Sequence, residues 1–237
     1  MEASNCIELI NINKSYSKAK NRLDVLSDFN LNIKQGEFIA LMGPSGLGKS
    51  TLLHLMGGLD KPTSGQVVIN EANIESFSER QLTRWRAENI GFIFQSHHLL
   101  PVISAQANVE LPLSLTPLNA KQRKQHAKVA LELVGMANRA THLPKELSGG
   151  QEQRVAIARA IATDPKILLC DEPTGNLDRK TANEILSLLA TLNKDFGKTI
   201  VMVTHDLKAA DYATRVINLE QYIDESQATE DAVSTGA

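Results

Sequence analysis

The 237-residue sequence carries 25 basic and 27 acidic side chains, a formal net charge of −2. That length buries a substantial core, in one large domain or in one domain with an inserted lobe. The near-neutral balance argues against the basic footprint of a nucleic-acid-binding surface.

In chain order, the first third is β-rich. "CIELINI" and "FNLNI" alternate apolar and polar residues, the pattern of half-buried strands. "EFIALM", Glu37 to Met42, is a short apolar strand that runs into a glycine-rich loop, and "TLLHLMGGL" reads as a helix from Ser50 ending near Gly57 and Gly58. "GQVVIN" is another strand after the turn-like "KPTSG". From Gln95 to about Arg154 the strand signals stop and "NAKQRKQHAKVALELVGM" has amphipathic helical periodicity, which predicts a helical lobe inserted into an α/β core. "KILLCDEP", "TANEILSLLATLNK", "KTIVMVTHD" and "RVINL" then alternate strand and helix, as in a parallel sheet covered by helices. The acidic segment 224–237 has the composition of a disordered tail.

Cys6 and Cys170 both lie in apolar runs and read as small buried hydrophobes in a reducing compartment. No stretch is long and apolar enough to span a bilayer, and "MEASNCIELI" lacks the basic-then-apolar order of a secretory leader. The expected location is cytoplasmic, with any membrane role reached through a partner.

"GPSGLGKST", Gly43 to Thr51, fits G-x-x-x-x-G-K-[ST] between a strand and a helix, the context that this phosphate-binding loop requires. Its backbone, from Gly43 through Pro44, Ser45, Gly46, Leu47 and Gly48, can wrap phosphates, with the N–H groups of the residues other than Pro44 as donors; Lys49 adds charge at the β/γ positions and the Ser50 hydroxyl can ligate Mg²⁺. "ILLCDEP" ends an apolar strand on Asp171, a second Mg²⁺ ligand, and Glu172 follows as a candidate general base that orients water. His205 ends the apolar "TIVMVTH" and can bond a γ-phosphate or the lytic water; the competing reading makes it part of a helix start capped by Thr204 or Asp206. In "LSGGQEQR", Ser148 can cap a helix whose first turn is bare at Gly149 and Gly150, either an ordinary glycine-rich helix start or a second anion site. Tyr16, after a strand, reads either as packing or as a stacking platform for a base.

Taken together, these motifs make the chain resemble the nucleotide-binding subunit of an ATP-binding-cassette (ABC) transporter, from about Cys6 to Leu219. "GPSGLGKST" looks like Walker A, "ILLCDE" like Walker B, "LSGGQ" like the family signature, Gln95 like the Q-loop glutamine, Asp178 in "GNLD" like the D-loop and His205 like the switch histidine. The resemblance implies a P-loop NTPase (RecA-like) core with an N-terminal antiparallel β-subdomain and an inserted helical subdomain, residues 95–154, within one ABC ATPase domain spanning 1–223. It implies ATP and Mg²⁺ as cofactors, with Gln95 joining Ser50 and Asp171 at the metal, and Tyr16 stacking on adenine. It also implies a homodimer in which Ser148, Gly149, Gly150 and Gln151 close on the nucleotide held by the other copy. Leu47 stands where a smaller residue is usual, Glu152 where glutamine is frequent, and "NLEQYIDESQ" lacks the glycine turn usual after that strand.

The segment around Gln95 and "DEPTGNLD" resembles the branch of MacB-like, LolD-like and FtsE-like ATPases, and "NVELPL" leans to the MacB/LolD side. That implies an integral membrane permease of the MacB/LolC/LolE/FtsX type, an attachment to the inner face of the plasma membrane, and either substrate export or extraction or, in an FtsE-like role, signalling without transport. A soluble ABC ATPase acting on nucleic acid would carry a coiled-coil insertion, a zinc hook or two cassettes, none of which is in the sequence. His97 and His98, beyond the Q-loop, read as polar loop surface with no third metal ligand nearby.

Overall fold

The structure is a computed structural model that describes residues 4–18 and 21–220. The predicted acidic tail, 224–237, lies outside the described residues.

Two long strands, β1 (Asn5–Lys18) and β2 (Asn21–Lys34), pair antiparallel. With β4 (Ser64–Ile69) and β5 (Ala72–Asn73) they form a four-stranded sheet of order β2-β1-β4-β5. The alternation of "CIELINI" becomes burial of Ile7, Leu9 and, past a register shift, Ile12 on one face. A second sheet of order β6-β7-β8-β3-β9 is parallel throughout; its strands are β3 (Phe38–Met42), β6 (Ile90–Phe94), β7 (Ile167–Asp171), β8 (Thr199–Val203) and β9 (Arg215–Asn218). All five residues of β8, and the first four of both β3 and β7, are buried. That is why these strands read as unbroken apolar runs: a parallel sheet is covered on both faces.

The two faces of this sheet face two cores. Ile39, Leu41, Leu169 and Val201 pack with α1 (Lys49–Met56) and the antiparallel sheet. Phe38, Ala40, Leu168, Cys170 and Met202 pack with the helices of the opposite side. Those helices are α3 (Ala105–Leu113), α4 (Ala120–Leu133), α5 (Gly149–Ile161) and α6 (Arg179–Phe196). The lobe predicted over 95–154 contains α3 and α4, both packed on α5. The expected boundary at Arg154 falls inside α5, which continues to Ile161 and joins lobe to core.

One helix has no counterpart in the β-rich reading of the first third: α2 (Glu79–Asn89). Its start is marked locally, since the Ser78 hydroxyl accepts from Gln81 N and the Gln81 side chain accepts from Ser78 N. The predicted strand ending at His205 stops at Val203 instead; Asp206 caps the short α7 (Leu207–Ala210) by accepting from Lys208 N at 2.9 Å.

The register levels one edge of the parallel sheet. Leu41 and Asp171 both pair with Val203, and Phe94 pairs with Asp171. The segments beginning at Gly43, Gln95, Glu172 and Thr204 therefore all leave the sheet at its C-terminal edge, where open α/β folds bind ligands.

Candidate nucleotide site

Gly43 (φ 140°), Gly46 (φ 93°) and Gly48 (φ 80°) take backbone conformations closed to most side chains, and these bends wrap the loop between β3 and α1. Gly48 caps α1 with no side-chain hydrogen bond, so the first N–H groups of the helix stay available to an anion. Lys49 Nζ donates to the carbonyls of Gly43 (2.7 Å) and Pro44 (2.6 Å), which folds the ammonium back over the loop. A cleft of about 370 Å³ opens here, lined by Ser45, Gly46, Gly48, Lys49, Ser50 and Thr51, with Tyr16 on one wall and Glu172 on another. Leu47 turns inward and packs on the core between the sheets, which accounts for a large side chain at a position that contributes backbone.

Ser50 Oγ donates to Asp171 Oδ1 at 3.3 Å. This hydroxyl–carboxylate pair is a hard oxygen donor set suited to Mg²⁺, which binds through few protein ligands plus substrate phosphates and water. Two protein oxygens leave most of the coordination of such an ion to phosphate and water, which fits a metal that arrives with a nucleotide. Gln95 has a different partner: its Nε2 donates to Asn176 Oδ1 at 3.2 Å, and its side chain covers Gly175, whose hypothetical Cβ would lie 2.7 Å from Nε2.

Glu172 has φ 45°, a left-handed conformation unusual for a glutamate and held by hydrogen bonds from its N–H to Val203 O and from Gly175 N to its carbonyl. This bend separates its side chain from that of Asp171. His205 Nδ1 lies 3.1 Å from Glu172 Oε1 while most of its ring stays exposed. Asp206 is the helix cap, as one reading of this loop has it, and His205 faces the Glu172 carboxylate.

Ser148 and Gln151 form a reciprocal capping box at the start of α5, with Ser148 Oγ accepting from Gln151 N (3.3 Å) and Gln151 Oε1 from Ser148 N (3.1 Å). The two bare glycines differ. A Cβ on Gly150 would lie 2.2 Å from Thr181 Cγ2 of α6, so packing within the chain demands that glycine; a Cβ on Gly149 would meet only Leu177 Cδ2, at 3.8 Å. Gly149 is exposed, and neither it nor Ser148 lines the Walker A cleft of its own chain. Asp178 caps α6, accepting from Lys180 N and Thr181 N.

His98 is exposed, as the loop-surface reading has it, whereas His97 is partly buried. His97 Nδ1 lies 3.2 Å from Glu152 Oε2, His98 stands edge-on to Phe94, and Arg159 donates to the carbonyls of both. Burial lowers the pKa of the Arg159 guanidinium, and these two carbonyls supply its compensation. The sequence reading missed three further anchors. Buried Asn108 accepts from Leu100 N and donates to the carbonyls of Leu100, Ile103 and Ser104. Buried Gln153 donates to Pro173 O at 2.7 Å, tying α5 to the segment after Asp171. Asn176 holds Gln95. Asn108 and Gln153 are single polar residues to which no motif gives a role, although "SGGQEQR" gives a local hint by its polar Gln153 inside a helix; Asn176 lies within "GNLD", where only Asp178 is singled out.

The loop, the Ser50–Asp171 pair and the levelled strand edge define a P-loop NTPase. The antiparallel sheet, the helical lobe and the serine-glycine start of α5 narrow the class, and the comparisons agree with it. The ABC transporter family profile matches residues 26–175. The chain is 48% identical over 211 residues to the ABC transporter ATP-binding protein YknY of Bacillus subtilis, covering 89% of this chain and 91% of that one. It is 46% identical over 216 residues to the lipoprotein-releasing system ATP-binding protein LolD of Geobacter metallireducens, covering 91% and 96%. It is similar to the dimeric post-hydrolysis structure of the ATP-binding cassette MJ0796 bound to ADP and Pi, with a TM-score of 0.83 and 44% identity over 90% of this chain and 93% of that one. The chain belongs to the ABC transporter family, as an ATP-binding subunit.

Proposed function

We propose that this chain is the ATP-hydrolysing subunit of a MacB/LolD-like transport system. Two copies close head to tail around two ATP molecules, and that closure drives an integral membrane permease of the MacB/LolC/LolE/FtsX type to export or extract its substrate. The subunit works at the cytoplasmic face of the plasma membrane through that permease; no helix among the described residues is long and apolar enough to cross a membrane. The likeness to LolD and to the dimeric MJ0796 cassette supports this reading.

The observation that carries it is a site in two halves. The Walker A cleft holds a phosphate cradle, a lysine and an acid, while the exposed helix start at Ser148 and Gly149 lies outside it. A helix N-terminus with an unhindered glycine stabilises a γ-phosphate only when a second copy brings it there.

In the closed pair, the loop N–H groups and Lys49 hold the β- and γ-phosphates. Ser50 and Asp171 would hold Mg²⁺, joined by Gln95 once its side chain leaves Asn176, and the ion would supply charge neutralisation to the phosphates. Glu172 orients the attacking water and takes its proton at the carboxylate, and His205, at 3.1 Å, steadies that carboxylate on the γ-phosphate side. Tyr16 stacks on adenine, and Asp178 lies in the D-loop at the interface.

The test is sedimentation of Glu172→Gln with and without ATP. Binding without hydrolysis traps an ATP-dependent dimer, and adding Ser148→Arg to that variant returns it to monomer. An ATP-independent monomer in the first variant, or a dimer insensitive to the second change, refutes the split site. Co-purification from membranes identifies the permease; recovery of an FtsX-like protein with no transported substrate favours the signalling role over transport.

A further inference from the structure

Tyr16 is 39% exposed on the cleft wall, and its ring is held from behind by two residues that no motif marks. Its hydroxyl donates to Asp60 Oδ2 at 2.8 Å. Asp60 Oδ1 accepts from Lys14 Nζ at 2.7 Å and from Lys61 N at 2.8 Å. Lys14 Nζ also donates to Lys61 O at 2.7 Å and stands 4.6 Å from the centroid of the Tyr16 ring, within cation–π range. Lys14 is 8% exposed and does not line the cleft, so the ring face it covers is the inner one and the other face is turned to the cleft.

Asp60 is itself fixed to the phosphate-binding helix. Leu59 N and Asp60 N both bond His54 O, in the last turn of α1, whose first residue is Lys49. At about 1.5 Å per residue this helix is a short rigid rod. One end carries the phosphate cradle and the other, through Asp60, sets the tilt and height of the ring.

We infer that Lys14 and Asp60 are positioning residues for the nucleotide: they clamp the Tyr16 ring to the far end of α1, so that the base platform and the phosphate cradle are held at the spacing of one ligand. This rests on the proposed role of the cleft as an ATP site with Tyr16 as its platform. A ring with a free hydroxyl and an uncovered inner face samples other tilts, and part of the binding energy is then spent ordering it. The clamp also makes a distinction by ligand. A base-bearing nucleotide uses it and a bare polyphosphate does not.

The experiment is calorimetric titration of the full chain with ATP and, separately, with inorganic tripolyphosphate. Base–aromatic stacking of usual strength gives Tyr16→Ala an ATP Kd raised about 10- to 100-fold. Asp60→Asn, Lys14→Met and Tyr16→Phe are each expected to raise it about 3- to 10-fold, the scale of one lost hydrogen bond or cation–π contact. All four keep tripolyphosphate binding within about twofold of wild type, and in the Tyr16→Ala background Lys14→Met and Asp60→Asn have no further effect on ATP.

The failures separate. If Tyr16→Ala binds ATP like wild type, Tyr16 is not the platform and the clamp falls with it. If Tyr16→Ala weakens ATP binding but the Lys14 and Asp60 variants do not, the platform stands and the clamp alone is overturned. If those variants weaken tripolyphosphate as much as ATP, the pair supports the cradle or the fold, and its role as a clamp for the base is overturned.

Discussion

Substitution of Gly150 by alanine separates two reasons for glycine at the start of the signature helix. Neither Gly149 nor Gly150 has positive φ, so backbone conformation demands neither; what differs is space. At Gly150 the added methyl would sit 2.2 Å from Thr181 Cγ2, and Thr181 is not free to give way. Its Oγ1 donates to Asp178 Oδ2, and of its staggered rotamers the one that puts hydrogen toward Gly150 also swings the hydroxyl away from Asp178. Gly150→Ala therefore either forces α5 from α6 or gives up that bond, a cost of about 1–3 kcal/mol, which lowers Tm by about 3–10 °C for a chain of this size. Gly149→Ala, whose methyl meets nothing closer than 3.8 Å, stays within about 2 °C of wild type. Thr181→Ser removes Cγ2 and keeps the hydroxyl, so it restores most of the loss in the Gly150→Ala background. Thermal unfolding of the four proteins decides. A Gly150→Ala protein that melts at or above wild type, or one that Thr181→Ser leaves unrescued, refutes the packing argument.

Gly91→Ala in β6 is more damaging, because its methyl would lie 2.4 Å from the backbone oxygen of Ala160, which no rotamer change relieves; a urea midpoint lowered by the equivalent of about 3 kcal/mol is expected. Cys6 and Cys170 are both buried, and burial raises both thiol pKa values, so little thiolate forms at pH 8. A thiol reagent such as DTNB is expected to label neither cysteine in the native protein and both in denaturant, and rapid native labelling contradicts the burial. Burial pushes the Asp60 carboxyl up, but hydrogen bonds from Lys14, Tyr16 and the Lys61 amide outweigh it and hold the group below the usual aspartate value. A lowered carboxylate pKa stabilises the fold above the unfolded value, and that contribution is lost as pH falls through the folded one. Wild type is thus expected to lose more Tm than Asp60→Asn on acidification through this range, and parallel curves would show that Asp60 contributes nothing there.

The parts of the site legible in the sequence are those that a contiguous segment encodes. The glycines of "GPSGLGKST" specify their own bends, and the apolar runs before Asp171 and Thr204 specify buried parallel strands, so strand, loop and helix could be ordered along the chain. The supporting contacts are long-range and carry no local signal. Gln95 meets Asn176 across 81 residues, and Lys14 meets Asp60 across 46. His97 illustrates the same limit: in a polar loop it reads as surface until Glu152, 55 positions away, is found 3.2 Å from its ring nitrogen. The helix α2 is a different failure, since its capping box was local and the β-rich surroundings obscured it.

The contacts of α5 explain how so few motif residues can act together. From one turn to the next the helix bonds a different loop: Ser148 and Gln151 close its own start, Glu152 holds His97, Gln153 holds Pro173 O beside Glu172, and Arg159 holds the carbonyls of His97 and His98. A helix is stiff along its axis, while the loops it bonds are not, so displacement of the segment after Gln95 is resisted by, and passed to, the same element that presents Ser148 and Gly149 to solvent. The polar residues on this helix are therefore not a solvated face. Arg154 and Glu184 are bonded at 2.8 Å, Gln153 is buried, and the apolar positions Val155, Ile157 and Ala158 fill the core beneath. The helix start can stay exposed and bare at Gly149 because the rest of the helix is fixed along its length.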